Sequence, residues 1–545
     1  MKYKNFKDVK SWKNLQNRFL KLKNCDVRNL FTSNKNRFKE FSINFLDKMI
    51  FDYSKNIIDS RAMNILFKLA EEIGIVQEIK KMFSGSKINE TENNSVLHVS
   101  LRNYKNKNGF LKDKNTELEI KKCFDKMKNF SIKVINGIWK GCTNKKITDI
   151  VNIGIGGSEL GPQMINNALK DYKNHLNIHY ISNIDNTNLK DVLDKINLET
   201  SLFLIVSKTF TTTETIVNAN SIKKCFIKKF NNKNFINKHF FAISNNVKNS
   251  INFGICKKNI FKIFSWVGGR YSVWSSVGLS IMLSIGHKNF FKFLEGANKM
   301  DNHFYKKKIN KNIPIILALI SFWYNFFFNS ATEVILTYSN RLNKFTSYIQ
   351  QLNMESNGKN CDRNGKRITY NTSQIIWGGT GTNCQHSFFQ LLHQGTRLVP
   401  CDFVAFVNGY DKKFEKHNII LLSNFFAQTK SLFFGNCDPF YRNKENIKKH
   451  CDKFYKKFYG NIPSNSIMFK KLDPISLGIL VAMYEHKVFV QGIILNIFSF
   501  DQWGVELGKT LSNDIYNVLK MNNHKDYKYD SSTNGLLNYY NSWKE

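Results

Sequence analysis

Cysteine pairs of the kind that hold zinc or staple a small secreted domain are missing from this sequence. Its 10 cysteines lie far apart with no C-x-x-C. Only Cys384 and Cys451 have a histidine close by, His386 and His450. Neither forms a four-ligand pattern, which excludes a structural zinc site or disulfide framework and suits a reducing compartment. An apolar signal region is missing too: Met1 to Trp12 alternates lysine with polar residues, so no export signal is expected. Long apolar runs are scarce. The nearest to a membrane span, 313–328, is too short and holds Pro314 and Asn325, so a buried helix is expected there. These absences point to a cytoplasmic protein with no membrane partner and no metal.

Negative charge is also in short supply. Lys and Arg number 81 against 42 Asp and Glu, a formal charge of +39. Such an excess invites a nucleic-acid or anionic-surface reading. No RNA-binding signature, zinc-finger spacing or arginine-rich tail accompanies it. The lysines are scattered among Asn, Phe, Ile and Tyr, while proline falls to 6. Compositional drift absorbed by a solvated basic surface is therefore expected, without a nucleic-acid partner; binding that falls steeply with salt would say otherwise. At 545 residues, 42% apolar and 23% charged, the chain has room for two domains with their own cores.

Residues 1 to about 110 read as helical. The stretch 62–79 repeats Ile65, Leu66, Leu69, Ile73 and Val76 at helical spacing. In 88–102, Thr91 is a candidate helix cap, and His98 reads as a packed or surface residue rather than a ligand. From about 147 the period changes. Short apolar runs at 149–155, 177–181, 202–206, 240–243 and 260–264 each end in polar or Gly-rich residues, with helical stretches between several. Strands alternating with helices imply a parallel sheet, whose ligands bind beyond the carboxyl ends of the strands. A helix near 290–302 leads to a second α/β region with the apolar helix at 313–328 and strands at 333–337 and 374–377. An apolar run at 488–500 precedes a polar, partly helical tail.

The loops after the runs carry the chemistry. Gly154-Ile155-Gly156-Gly157-Ser158 opens a helix-like segment. Its glycines let backbone amides approach an anion at a helix N-terminus, although a dinucleotide fingerprint would space its third glycine differently. Ser207-Lys208-Thr209-Phe210-Thr211-Thr212-Thr213-Glu214-Thr215 offers hydroxyls to phosphate oxygens, or a plain helix cap, since Thr-x-x-Glu is a common helix start. Gly268-Gly269-Arg270-Tyr271-Ser272 presents one cation. Three such loops on one sheet edge describe a pocket for a small phosphorylated ligand.

In the second region, 350–359 reads Q-Q-L-N-M-E-S-N-G-K. Glu355 is placed on a loop as a single carboxylate among neutral neighbours, as general-base chemistry requires; alone it would read as a surface cap. His386, in a Gly- and Gln-rich stretch from Gly378, is either a proton carrier or a core histidine satisfied by backbone. Lys509 follows Asp501-Gln502-Trp503-Gly504-Val505-Glu506-Leu507-Gly508 and is either a site residue or an ordinary surface lysine.

Six stretches taken together resemble the glucose-6-phosphate isomerase (phosphoglucose isomerase) family. They are I-G-I-G-G-S-E-L-G-P at 153–162, S-K-T-F-T-T-T-E-T at 207–215, V-G-G-R-Y-S-V-W-S-S-V-G at 267–278, the 350–359 stretch, G-T-N-C-Q-H-S-F-F-Q-L-L-H-Q-G-T at 381–396 and D-Q-W-G-V-E-L-G-K at 501–509. They run in the family's order over nearly the whole chain. The resemblance implies an α/β fold of two sugar-isomerase-type three-layer sandwiches with parallel sheets. Its divisions would be a helical segment at 1–110, a small domain at 111–285, a large domain at 286–510 and a tail at 511–545. It implies interconversion of glucose 6-phosphate and fructose 6-phosphate through a cis-enediol, with no cofactor, in a homodimer with shared active sites. Gly157, Ser158, Ser207, Lys208, Thr209 and Thr212 would surround the phosphate. Glu355 would be the base, Arg270 would stabilise enediolate charge, His386 and Lys509 would open the sugar ring, and Gln351 and Gln502 would orient hydroxyls. Asn94 stands where the family has Arg, and Cys384 where it has Gly, which touches stability or local geometry more than chemistry. A non-catalytic sugar-phosphate sensor on the same fold is the alternative; it would have no need of Glu355, His386 and Arg270.

Overall fold

The computed structural model describes residues 3–103, 113–437, 454–521 and 528–544. His450 and Cys451 lie outside the described residues. The chain divides into two units, 1–500 and 501–545.

The first unit is built on two sheets. A hairpin of β1 (Ser42–Phe45) and β2 (Met49–Asp52) comes first in sequence. Then β3 (Asp149–Ile153), β4 (Asn177–Ile181), β5 (Ser201–Val206), β6 (Phe240–Ser244) and β7 (Ile260–Lys262) form a five-stranded sheet, ordered β4-β3-β5-β6-β7. All its pairings are parallel. β3, β5 and β6 are buried along their whole length, as strands covered on both faces must be. Ile153 pairs with both Ile181 and Ile205, and Val206 with Ile243, so the loops beyond these strands open on one edge.

The second sheet takes β8 (Thr332–Tyr338), β9 (Ile375–Thr380), β10 (Cys401–Asn408) and β11 (Ser464–Lys471), in the order β1-β2-β11-β10-β8-β9. Its last four strands are parallel, and the hairpin joins antiparallel through β2 to β11. The first hundred residues are thus mostly helical but lend two strands to this sheet. The helix expected over 62–79 is two, Ser60–Ile73 and Ile75–Ser84, broken at Gly74, whose φ of 84° caps the first. Thr91 caps no helix: it sits inside the single turn Glu90–Glu92, and the next helix begins at His98.

One continuous core runs from the first sheet (Leu204, Phe241) to the second (Val404, Phe469) through two helices, Leu279–Lys306 and Pro474–Ile494. Glycines let their backbones touch: a Cβ on Gly296 would stand 2.0 Å from the Ile475 carbonyl oxygen, and one on Gly478 would stand 2.1 Å from that of Phe293. The buried helix expected at 313–328 is Ile313–Phe327. Among the described residues, however, it is Pro474–Ile494 that is long and apolar enough to cross a membrane, and it is buried almost throughout. Four consecutive polar residues, Tyr484, Glu485, His486 and Lys487, lie buried in it. In the second unit, the turn Trp503–Val505 leads into the helix Glu506–Met521, and Asp530 caps the helix Ser531–Trp543.

Candidate active site

Glycines bring the sheet-edge loops together. Gly157, just after β3, is pressed against the turn Gly269–Trp274: a Cβ on it would stand 2.1 Å from the Gly269 carbonyl oxygen and 2.7 Å from the Arg270 nitrogen. A Cβ on Gly154 would meet the Ser158 side chain at 2.8 Å and the Val206 oxygen at 2.9 Å, which puts Ser158 beside the point where the hydroxyl loop begins.

In that loop Ser207 Oγ lies 3.0 Å from Thr212 Oγ1 and accepts from the Phe210 N–H at 3.1 Å. Thr211 Oγ1 donates to Thr209 Oγ1 at 2.7 Å. Thr212 is the N-cap of the helix Thr213–Phe230, yet its hydroxyl does not cap it. The plain helix-cap reading of this loop therefore fails, and the first-turn amides keep their partial positive charge. Phe210 holds a φ of 54°, a strained value for a bulky residue of the sort that gathers at functional sites. Lys208 Nζ donates to the carbonyls of Ser265 at 2.8 Å and Val267 at 3.1 Å, which ties this loop to the one bearing Arg270. Burial holds its pKa down, with Glu92 partly offsetting.

Glu355 is on a helix, not the loop expected. The helix Phe345–Gln350 widens into a π-turn, Gln351–Glu355, and Ser356 still has helical dihedrals, so the polar turn residues come later. Such widened turns are frequent at functional sites. Gln351 Nε2 donates to Glu355 Oε2 at 3.0 Å, while Gln351 Oε1 is buried with no hydrogen-bond partner among the described residues. A Cβ on Gly156 would stand 3.2 Å from Gln351 Nε2, so the loop after β3 reaches this turn. Arg270 Nη1 lies 3.4 Å from Glu355 Oε2, with the carboxylate side chain 26% exposed and the arginine 1%. Arg270 Nε donates to Ser356 Oγ at 2.7 Å and Nη2 to the Ser499 carbonyl at 2.7 Å. Tyr271 and Ser356 share a hydroxyl contact of 3.0 Å. The result is one carboxylate beside a fixed guanidinium, next to glycine- and hydroxyl-bearing loops.

The structure thus gathers Gly157, Ser158, Ser207, Lys208, Thr212, Gln351, Arg270 and Glu355, with Thr209 exposed on the same loop. It does not bring His386 to them. His386 is exposed at the end of the short helix Gly381–Gln385, beyond the edge strand β9, and among the described residues no hydrogen bond or ion pair joins it to Glu355. Gln502 and Lys509 belong to the second unit, where Lys509 is exposed and pairs with Glu506 at 2.8 Å. Cys384 is buried, and burial pushes its thiol up to about 11. Asn94 closes a small bridge, its N–H donating to the Asn89 carbonyl at 3.0 Å. Among the described residues no three His, Cys, Asp or Glu side chains gather to hold a metal ion.

Sequence reasoning missed Ser356, Tyr271 and Ser499 around Arg270, and a buried layer behind it formed by His98, Arg102, Trp274, Asp301, Tyr348 and Glu485. His98 stacks on Tyr271 with ring centres 4.8 Å apart, and burial drives its pKa well down. The signal for this layer was Tyr484-Glu485-His486-Lys487 inside an otherwise apolar helix, since such residues are buried only when paired.

The family model described as Phosphoglucose isomerase matches residues 52–537. The chain is 56% identical to the glucose-6-phosphate isomerase of Buchnera aphidicola subsp. Cinara cedri over 99% of both chains. It is 51% identical to that of Wigglesworthia glossinidia brevipalpis over the whole of both. A solved glucose-6-phosphate isomerase from Chlamydia trachomatis superposes with a TM-score of 0.86 at 30% identity, covering 99% of this chain and 100% of that one. With that match in sequence and in fold, the chain belongs to the phosphoglucose isomerase family.

Proposed function

We propose that this chain interconverts glucose 6-phosphate and fructose 6-phosphate by moving a proton between carbon 1 and carbon 2. The observation that carries the reading is Glu355: a lone carboxylate 3.4 Å from an anchored Arg270, beside loops lined by glycine and hydroxyl groups. The carboxylate removes the carbon 2 proton of open-chain glucose 6-phosphate; the electrons of that bond form the carbon 1–carbon 2 double bond while the carbonyl π pair moves onto oxygen 1, which takes up a proton to give a cis-enediol. As the carboxylate returns its proton to carbon 1, oxygen 2 gives up its hydroxyl proton and becomes the carbonyl of the ketose. Arg270 offsets the charge that develops on the enediol oxygens, an interaction worth most at a fixed, water-poor position.

Ser158, Ser207, Thr209 and Thr212, with the amide of Gly157, hold the phosphate, and Lys208 adds positive charge at the base of that pocket. Gln351 offers its Oε1, which has no partner among the described residues, to a substrate hydroxyl; Gln502 is assigned to orient substrate hydroxyls by its place in the family motif. His386 and Lys509 handle ring opening. In this reading His386 acts in a second copy of the chain, which its exposed place beyond an edge strand supports. Phe414, Ile419, Ile420 and Phe426, in and beside the helix Glu415–Phe434, are each more than half exposed, which supports docking of a second copy. The reading takes no cofactor and places the protein in the cytoplasm. A coupled assay supplied with fructose 6-phosphate and no added metal tests it. Glucose 6-phosphate should appear, and a folded protein that produces none would end the proposal.

A further inference from the structure

We propose that Glu485 is a positioning residue for Arg270, acting from the side of the loop away from the substrate. The inference rests on the isomerase reading above. The turn Gly269–Trp274 has two ends with different attachments. At one, Arg270 faces Glu355. At the other, Trp274 Nε1 donates to both oxygens of Glu485, at 2.9 and 3.2 Å. The Tyr348 hydroxyl lies 3.2 Å from Glu485 Oε1 and 3.5 Å from the Arg270 carbonyl oxygen, so one side chain spans the carboxylate and the arginine's own backbone. Arg102 closes the arrangement: it pairs with Glu485 through Nη2, and its guanidinium covers the Trp274 ring at 4.2 Å. Asp301 holds Arg102 at 2.6 Å and is itself held by His486 at 2.7 Å.

Each of these residues is at most 2% exposed. A buried ion pair is a poor source of stability, because desolvation takes back most of the attraction. What it does supply here is geometry, since Trp274, Tyr348 and Arg102 converge on one acceptor. Glu485 receives one donor from the turn that carries Arg270 (Trp274), one from the helix that leads to Glu355 (Tyr348) and one from the helix His98–Arg102 (Arg102). Ser356 and Ser499 fix the guanidinium; Glu485 fixes the turn from which it projects.

The test uses the full-length protein and three variants: Glu485→Gln, Trp274→Phe, which keeps a ring beneath Arg102 but removes the donor, and Tyr348→Phe. For each we would measure kcat, KM and affinity for two probes. One is a five-carbon aldonic acid phosphate, whose planar carboxylate stands in for the enediolate. The other is inorganic phosphate. Wild-type turnover is measured first, and its absence would sink the isomerase reading by itself. If Glu485 positions Arg270, kcat and aldonate affinity should fall together by about 10- to 100-fold, the range that a misplacement on the order of 1 Å costs. KM and phosphate affinity should stay within about twofold. A lower melting temperature with kcat and aldonate affinity unchanged would make Glu485 merely structural. Equal loss of affinity for both probes would also overturn the proposal, because the whole pocket would then have moved. Should Glu485→Gln fail to fold, the same readings on Trp274→Phe and Tyr348→Phe decide.

Discussion

Arg270 faces Glu355 across 3.4 Å while its Nε is committed to Ser356 and its Nη2 to the Ser499 carbonyl. The guanidinium cannot swing out to follow a substrate, so the carboxylate keeps a fixed cationic neighbour. Replacing Glu355 by Gln removes the base while keeping the shape. We expect Glu355→Gln to bind substrate about as well as wild type and to lose roughly 10²- to 10⁴-fold in rate. Near-normal exchange of the carbon 2 proton with solvent in this variant would remove Glu355 from its role.

The hydroxyl loop should act on binding. Ser207 already satisfies the Phe210 amide and Thr212, so Ser207→Ala loses loop order as well as a phosphate donor, whereas exposed Thr209 in Thr209→Val loses mainly the donor. Each donor to a charged acceptor is worth about 1.5–3 kcal/mol. Substrate and inorganic phosphate should weaken together, by more in Ser207→Ala. Unchanged affinity for both ligands in both variants would show that the phosphate sits elsewhere.

Because His386 is exposed beyond an edge strand and, among the described residues, no hydrogen bond or ion pair joins it to Glu355 of its own chain, sites should be completed between two copies. Glu355→Gln and His386→Asn, each inactive, are unfolded and refolded together. In a composite arrangement each mixed dimer has one site with both defects and one with neither. Half the dimers are mixed, so roughly a quarter of wild-type activity should return. Mixed dimers confirmed by mass but devoid of activity would rule sharing out.

Stability should depend on His303 as the solution is acidified. This buried imidazole accepts from the Ile313 N–H at 3.1 Å, and burial, with Lys307 and His486 nearby, holds its pKa down to about 4 from an ordinary 6.5. The folded state therefore keeps it neutral where the unfolded chain protonates it. Its contribution is complete above pH 6.5 and is lost as the pH falls toward 4. Between pH 7 and pH 5 that amounts to about 2 kcal/mol of unfolding free energy. His303→Gln, which can still accept from Ile313, should lose about that much less over the same interval. Parallel denaturant curves for the two proteins at pH 7 and pH 5 check it, and an identical pH loss in both would contradict it.

The strands of the first sheet were legible because fully buried parallel strands are apolar runs ended by turn residues. The hairpin was not. Its turn is made by Leu46 and Asp47 at φ of 54° and 52°, and leucine is among the last residues that sequence rules would put at positive φ. β10 and β11 were missed as well: Asp402 breaks the apolar run of one, and the other, S-N-S-I-M-F-K-K, is apolar only over three residues. Asp402 and Asn465 bond each other at 2.7 Å inside the sheet, and only the folded partner makes such residues tolerable there. The same holds for the site. Local glycine and hydroxyl patterns are visible in one dimension, whereas Ser356, Ser499 and Glu485 matter through partners 86, 229 and 211 residues away.

Glu485 and Lys487 also bear on where the chain ends up during synthesis. Emerging from the ribosome before its partners are folded, Pro474–Ile494 has the length and apolarity that membrane-insertion machinery accepts. Two charges near the middle of that segment oppose the choice, at about 3 kcal/mol apiece for a charge at the bilayer centre. Within the protein, Lys487 meets Glu333, with Asp402 3.6 Å away, and Glu485 meets Arg102. Such counter-charges exist only in the finished fold, where this helix is buried almost throughout.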